Sequence, residues 1–471
     1  MKKKPLVGRF QILADAFLLM AVIGLLNPAI QARETKSPAL LEKLNPLIRA
    51  DYYRALVHIE PWHTEAWDWI LTDDAGREDW QVYIRDGETA IRWQAISNRG
   101  LLLMGDSYAL TGDKEKAVDT WRKVSGAEMD ESQKRIVKTQ CELRDYAGAL
   151  ETLDSWIERS SNDANIYYQK GVLLALDHPA EANAFFEKAA ILDKSYEAQY
   201  QAWQKMAEFI QADPDDGYAR IQTGRMLLNW GQVDISREIF SRLVKQKPEY
   251  AEAWAFLGEA QRQLGEDELA ALEKAIELDP RSVSAQSLMG MYWLRHNDPQ
   301  EAENYFRRLS VQEPQQAVWQ AQWGESLARQ GQPAYAMVHY QQALEMEPGN
   351  PDCWRMMVQF CLDYSIEVRR IGLPAARRLV VLTPADPLVY DLHGQVLWAL
   401  GDGDNAISAF QRGLTVDPGN PILLLDMGEF SLNKANYADA FIYLTRAASN
   451  ARQSGQKNIY TRAQALLDQL P

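Results

Sequence analysis

Apolar side chains recur at helical spacing through residues 318–330, break at Gly331, and resume the same rhythm through 334–346. That spacing predicts two helices, each with an apolar stripe. Glycine at the junction predicts a turn with positive φ. Pro348 closes the second helix, because proline lacks an N–H donor and biases the residue before it away from the helix. Gly324 and Ala336 are small where the two helices must approach closely. The unit is an α-hairpin with apolar residues on both helices.

The layout repeats. Small residues stand at Gly224, Gly258, Gly290, Gly324, Gly394 and Gly428, with Val358 in the remaining slot, at steps of 34, 32, 34, 34, 36 and 34. Pro248, Pro280, Pro314, Pro348, Pro384 and Pro418 keep the same beat. A period of this length predicts stacked helical repeats.

The hairpins resemble the tetratricopeptide repeat, W-x-x-L-G-x-x-Y, then A-x-x-x-F, then P. Residues 387–418 carry Gly394, Leu397, Gly401, Ala406, Phe410 and Pro418 in register. Residues 283–314 carry Gly290, Trp293, Ala302, Phe306 and Pro314, and 217–248 carry Gly224, Leu227, Gly231, Phe240 and Pro248, with Ser236 in the alanine slot. Residues 251–280 keep Trp254, Leu257, Gly258 and Ala275 but are two residues short between the helices. Residues 351–384 keep Trp354 and have two extra near Ile371 and Gly372. Residues 421–448 keep Gly428, Ala440, Leu444 and Ala447. The resemblance implies an all-α, right-handed α-solenoid of about eleven hairpins, counting the more divergent units upstream.

Five segments are expected. Residues 1–32 read as a signal peptide or an N-terminal membrane anchor: Lys2, Lys3 and Lys4, an apolar run from 16 to 26, then Asn27, Pro28 and a small residue at Ala32. The run fits a signal-peptide core better than a full span. Either way the body is expected outside the cytoplasm. Residues 33–97 form a tryptophan-rich helical cap and a degenerate repeat, with Trp62, Trp67, Trp69, Trp80 and Trp93. Residues 98–212 hold three divergent repeats, built on Gly105, Val137 and Gly171, plus one odd helix from about 195. The turn signal at 213–217 predicts two sub-solenoids joined near residue 214. Residues 213–448 hold seven repeats. Residues 449–471 are a linker, 449–456, and a capping helix whose polar outside suits the end of a solenoid.

Composition narrows the function. A net charge of −15 lacks the cationic footprint of a nucleic-acid binder. Cys141, Cys353 and Cys361 have no metal spacing, and Cys353 and Cys361 lie too far apart on one helix to bridge. They read as small core residues. Gly105-Asp106-Ser107 resembles the start of a GDS-type hydrolase motif, yet no histidine follows an aspartate by three. No other catalytic motif appears. His63 and His393 read as structural. No metal, cofactor or catalytic residue is assigned, and the sequence specifies no oligomeric state.

In the family that these repeats resemble, the first helix of each hairpin lines a concave groove that takes a peptide or a partner's helix. By register that face carries Arg225, Asn229, Glu259, Arg262, Arg295, Glu325, Arg329, Gln359, Gln395, Trp398 and Glu429. The family's C-terminal-carboxylate clamp is not matched, because Ile221, Phe256, Ser284 and Leu288 fill its slots beside Arg225. The expectation is a non-enzymatic scaffold outside the cytoplasm that binds protein partners in cell-envelope assembly or secretion. It meets the membrane only through its N-terminal segment. The alternative is a glycan-handling module of polysaccharide assembly or export using residues 62–93.

Overall fold

The computed structural model describes residues 46–212 and 216–470, which are helical hairpins with no strand among them. The N-terminal segment 1–32 and the join near 214 lie outside the described residues. Two compact units divide the chain, one reaching Ile239 and one starting at Phe240.

In the first unit, helix Pro46–Ile59 precedes the hairpins Thr64–Gly76 with Trp80–Arg92, Asn98–Leu110 with Lys114–Trp121, Met129–Glu142 with Tyr146–Arg159, and Ala164–Asp177 with Pro179–Leu192. The odd helix follows as Glu197–Ala212. Its Trp203 is fully buried, with its ring 4.7 Å from that of Phe186. Gly171 makes room for Phe186, since a Cβ there would sit 2.9 Å from the ring. Gly105 does the same for Trp121, whose Nε1 donates to the Leu102 carbonyl at 3.0 Å. Asp106 is held by Arg135 at 2.7 Å and Ser107 by the Leu103 carbonyl at 2.8 Å, so the Gly-Asp-Ser triplet is helix packing. His63 caps its helix, accepting from the Ala66 N–H at 3.3 Å.

The second unit stacks Ala251–Gln263 with Leu269–Leu278, Val283–Arg295 with Pro299–Gln312, Ala317–Arg329 with Pro333–Met346, Pro351–Asp363 with Leu373–Leu382, Pro387–Ala399 with Gly403–Val416, and Pro421–Asn433 with Tyr437–Gln453. Helix Lys457–Leu467 ends the array. Its Ala463, Ile459 and Leu466 pack on Leu424 and Leu444. The first helices start where expected. Asn350, Asp386 and Asn420 accept from the N–H groups of Asp352, Leu388 and Ile422 at 3.0, 2.9 and 3.1 Å, each just before a proline at the first helical position. Gly331 turns with φ +76°, and the core between helices is Phe306, Tyr340, Phe360 and Phe410.

Three details differ from the sequence pattern. The shortfall in 251–280 is taken from the second helix, which spans only Leu269–Leu278 after a longer turn. The surplus near Ile371 becomes the π-helical turn Val368–Gly372, in which the Gly372 N–H reaches the Glu367 carbonyl at 3.2 Å. Residues 449–453 are not a linker. Helix Tyr437–Gln453 runs through them, because Ala447, Ala448 and Ala451 continue its buried stripe.

Candidate partner-binding face

The eleven residues expected on the groove all lie on, or end, first helices of hairpins. Arg225 and Asn229 belong to the first unit, on helix Gly217–Asn229. The other nine belong to the second. That face of the second unit is extensively self-paired. Arg262 Nε donates to Glu259 Oε2 at 2.8 Å. Arg295 reaches back to Glu268 in the turn of the preceding hairpin, 2.9 Å away, whose side chain is buried. Arg329 pairs with Glu325 at 2.5 Å, and the Tyr340 hydroxyl donates to the same carboxylate at 2.8 Å. Gln359 bonds Asp363 at 2.8 Å, and Trp398 stands edge-on to Phe430, 5.2 Å between rings. Glu429 takes the guanidinium of Arg462, from the last helix, at 2.9 Å.

These pairs set the electrostatics. Burial raises the Glu259 carboxyl, but hydrogen bonds from Arg262 and Gln263 outweigh it and hold the group below the usual carboxylate range. Ion pairs at a solvated face contribute only about 0–1 kcal/mol each. A partner's charged side chain can therefore replace one member at little net cost.

Two aspartates were not expected in the site. Asp391 is 4% exposed and lies with Asp426 on adjacent first helices. The Gln395 amide donates to Oδ2 of both, at 2.8 and 2.7 Å. Burial, then the charge of Asp426, pushes the Asp391 carboxyl well up, and burial raises Asp426 too. The signal was present as single carboxylates inside the apolar runs of helices Pro387–Ala399 and Pro421–Asn433. His393 is depressed by burial and by Arg377 and Arg412.

In the tryptophan-rich segment, Trp67 is buried and donates to the Pro61 carbonyl at 2.7 Å, and Trp69 stacks on Tyr53 at 5.0 Å. Trp62 and Trp93 are 62% and 50% exposed. The cysteines are free thiols: Cys353 and Cys361 are buried, Cys141 half-buried.

The array of hairpins defines a helical-repeat scaffold. Residues 221–283 and 392–455 match the family model described as Tetratricopeptide repeat, and residues 99–125 match a second model of the same description. Those three stretches carry tetratricopeptide repeats. Comparison with curated proteins gave no match. Among solved structures, the chain is similar at 12% identity to one titled APC/C hetero-tetramer Cut9-Hcn1, covering 90% of this chain and 92% of that one, with a TM-score of 0.46. Yeast Tom70 is similar at 12% identity over 96% of each chain, TM-score 0.45. A tetratricopeptide repeat protein from Parabacteroides merdae is similar at 13% identity, over 53% of this chain and 98% of that one, TM-score 0.42.

Proposed function

We propose that this chain is a non-enzymatic scaffold. Its repeats hold protein partners, as a peptide or a helix, against the first-helix face of the second unit. The observation that carries this is the run of exchangeable pairs Glu259–Arg262, Glu325–Arg329 and Glu429–Arg462 on that face. Such a face selects partners by charge pattern more than by apolar area. The test is the combined variant Arg262→Glu, Arg329→Glu and Arg462→Glu. Chains that co-purify with the wild type should be lost, and the melting temperature should move little. Retention of every partner by the variant ends the proposal.

The body is further proposed to act outside the cytoplasm, in cell-envelope assembly or secretion. What supports this is the sequence of residues 1–32 alone. Among the described residues no helix is long and apolar enough to cross a membrane. Protease added to intact cells stripped of any outer layer should degrade the body. Protection until the cells are lysed would contradict the location and leave the scaffold role standing.

A second function, glycan handling, is favoured by the exposure of Trp62 and Trp93. Envelope glycans should then shift tryptophan emission in the wild type and not in a Trp62→Ala, Trp93→Ala variant. An unchanged spectrum at saturating glycan excludes it.

A further inference from the structure

Arg281, Arg307 and Arg308 line one cleft of about 660 Å³, completed by Val311 and Gln312. Arg281 lies in the turn between two hairpins. The other four lie on Pro299–Gln312, the second helix of its hairpin. None of the five belongs to a first helix. All three arginines are exposed, and their guanidinium groups have no ion pair or hydrogen bond among the described residues. Arg308 stands over the Tyr305 ring, 5.7 Å from its centroid.

Carboxylates are not scarce in this chain, which has 65 acidic residues against 50 basic ones. Elsewhere in the second unit arginines find them, as Arg262 finds Glu259, Arg295 finds Glu268 and Arg355 finds Asp386. Here the neighbouring acids are engaged otherwise. Glu277 holds Lys274 at 2.9 Å, and Asp279 accepts from the Arg281 N–H at 2.9 Å. Glu303 accepts from Gln330 at 2.8 Å, and Glu313 from Trp319 at 2.8 Å. Glu273 and Glu301 act on the Tyr305 phenol, yet neither forms an ion pair with Arg308. No acid lines the cleft.

The turn that carries Arg281 is fixed in place. Gln312 Nε2 donates to the Arg281 carbonyl at 2.7 Å, and Gln312 Oε1 accepts from the buried Gln286 at 3.0 Å. This relay ties the turn to the helix of Arg307 and Arg308, so three like charges share one cleft against their mutual repulsion. A single ligand group that relieves it must bring more than one negative charge in a small volume. A carboxylate brings one. A phosphate monoester brings about 1.5 to 2 at neutral pH, on three acceptor oxygens. Guanidinium forks pair with such oxygens two at a time. Val311, exposed beside them, offers an apolar edge to a carbon substituent.

We propose that this cleft binds a terminal phosphate or diphosphate group, at a site separate from the partner-binding face. The probes are pyrophosphate and phenyl phosphate, titrated into the whole protein by calorimetry at low salt in phosphate-free buffer. Both should saturate one site with a Kd below about 1 mM. Acetate should bind about tenfold more weakly or worse. Arg281→Gln, Arg307→Gln, Arg308→Gln should weaken the phosphate probes about tenfold or more, with little change in melting temperature, since all three side chains are on the surface. Arg369→Gln, Arg370→Gln, an exposed pair elsewhere in the unit, should leave binding intact.

A second arm sediments the protein with vesicles of phosphatidylcholine containing roughly one-fifth phosphatidic acid. Binding of the soluble probes without sedimentation assigns a free phosphate compound. Sedimentation that the triple glutamine variant loses assigns a phospholipid headgroup. Binding in neither arm overturns the proposal. So do undiminished binding by the triple variant, an equal loss in the Arg369, Arg370 control, or equal binding of acetate. The Arg262, Arg329 and Arg462 variant should bind the phosphate probes normally, so the two sites succeed or fail separately.

Discussion

Trp254 Nε1 donates a hydrogen bond to the carbonyl of Pro248, 2.9 Å away and six residues upstream. The contact recurs along the chain: Trp354 to Pro348 at 2.9 Å, the Tyr390 hydroxyl to Pro384 at 3.0 Å, and Trp67 to Pro61 at 2.7 Å. The carbonyl ends a turn that follows a helix, where no backbone donor is at hand. An aromatic side chain on the next helix supplies one, so these four hairpins are each pinned to the turn before them. Trp254→Phe keeps the ring and removes the donor. It should lower stability by about 1 kcal/mol in urea unfolding. A loss within experimental error would mean that water serves the carbonyl equally well.

Gly290 is defined by Phe306. A Cβ at 290 would lie 2.7 Å from that ring. Gly290→Ala should cost about 1–3 kcal/mol through overpacking. Adding Phe306→Leu should return part of it, giving a positive coupling in a double-mutant cycle. Gly331 differs. Nothing lies within 4 Å of its Cβ position, but its φ is +76°. Gly331→Ala should cost about 1 kcal/mol by backbone strain alone, with no rescue from any neighbour.

Asp391 and Asp426 predict a pH dependence. Unfolded aspartate titrates near 3.8, and both folded-state carboxyls are raised above that by burial. Two such groups in one buried site do not both ionise readily. The charged groups facing them are Glu429 and Arg462, which are bound to each other. Above the unfolded value the folded chain holds protons that the unfolded chain has released. Stability from this site is therefore fullest in acid and falls as pH rises through the folded-state titration. Asp391→Asn keeps the shape and cannot titrate. Its urea midpoint should fall less than the wild type's between about pH 5 and about pH 9, and should be the higher at the alkaline end. Equal slopes for the two proteins would count against the pair.

Ser236 fills a slot where the repeat pattern has alanine. It is fully buried, and its hydroxyl donates to the Gly224 carbonyl at 2.7 Å. Ser236→Ala removes donor and need together and leaves the carbonyl its helical bond. The change should stay within about 1 kcal/mol, whereas Ser236→Val should cost more through crowding. Thermal melts of the two variants distinguish these outcomes.

The candidate face was legible in part. Register assigned its eleven residues to first helices because side-chain direction along a helix follows from local periodicity. The pairing of those side chains was not legible. Arg295 meets Glu268 and Arg462 meets Glu429 because neighbouring helices present them to each other, and repeat spacing does not specify which long side chains meet.

The sequence by itself determined the hairpins, their glycine turns and proline stops, and the two-residue surplus near Ile371 and Gly372. Each of these is a local choice of dihedral angle or a contact three to four residues away. Tertiary structure alone decided the rest. It carried helix Tyr437–Gln453 past the predicted end because an alanine stripe found a surface to cover. It set Asp391 against Asp426, and it folded residues 230–239 over helices Met129–Glu142 and Ala164–Asp177. Those contacts join residues from about one to three repeats apart, where burial and packing choose the partner and no periodicity in the chain encodes it.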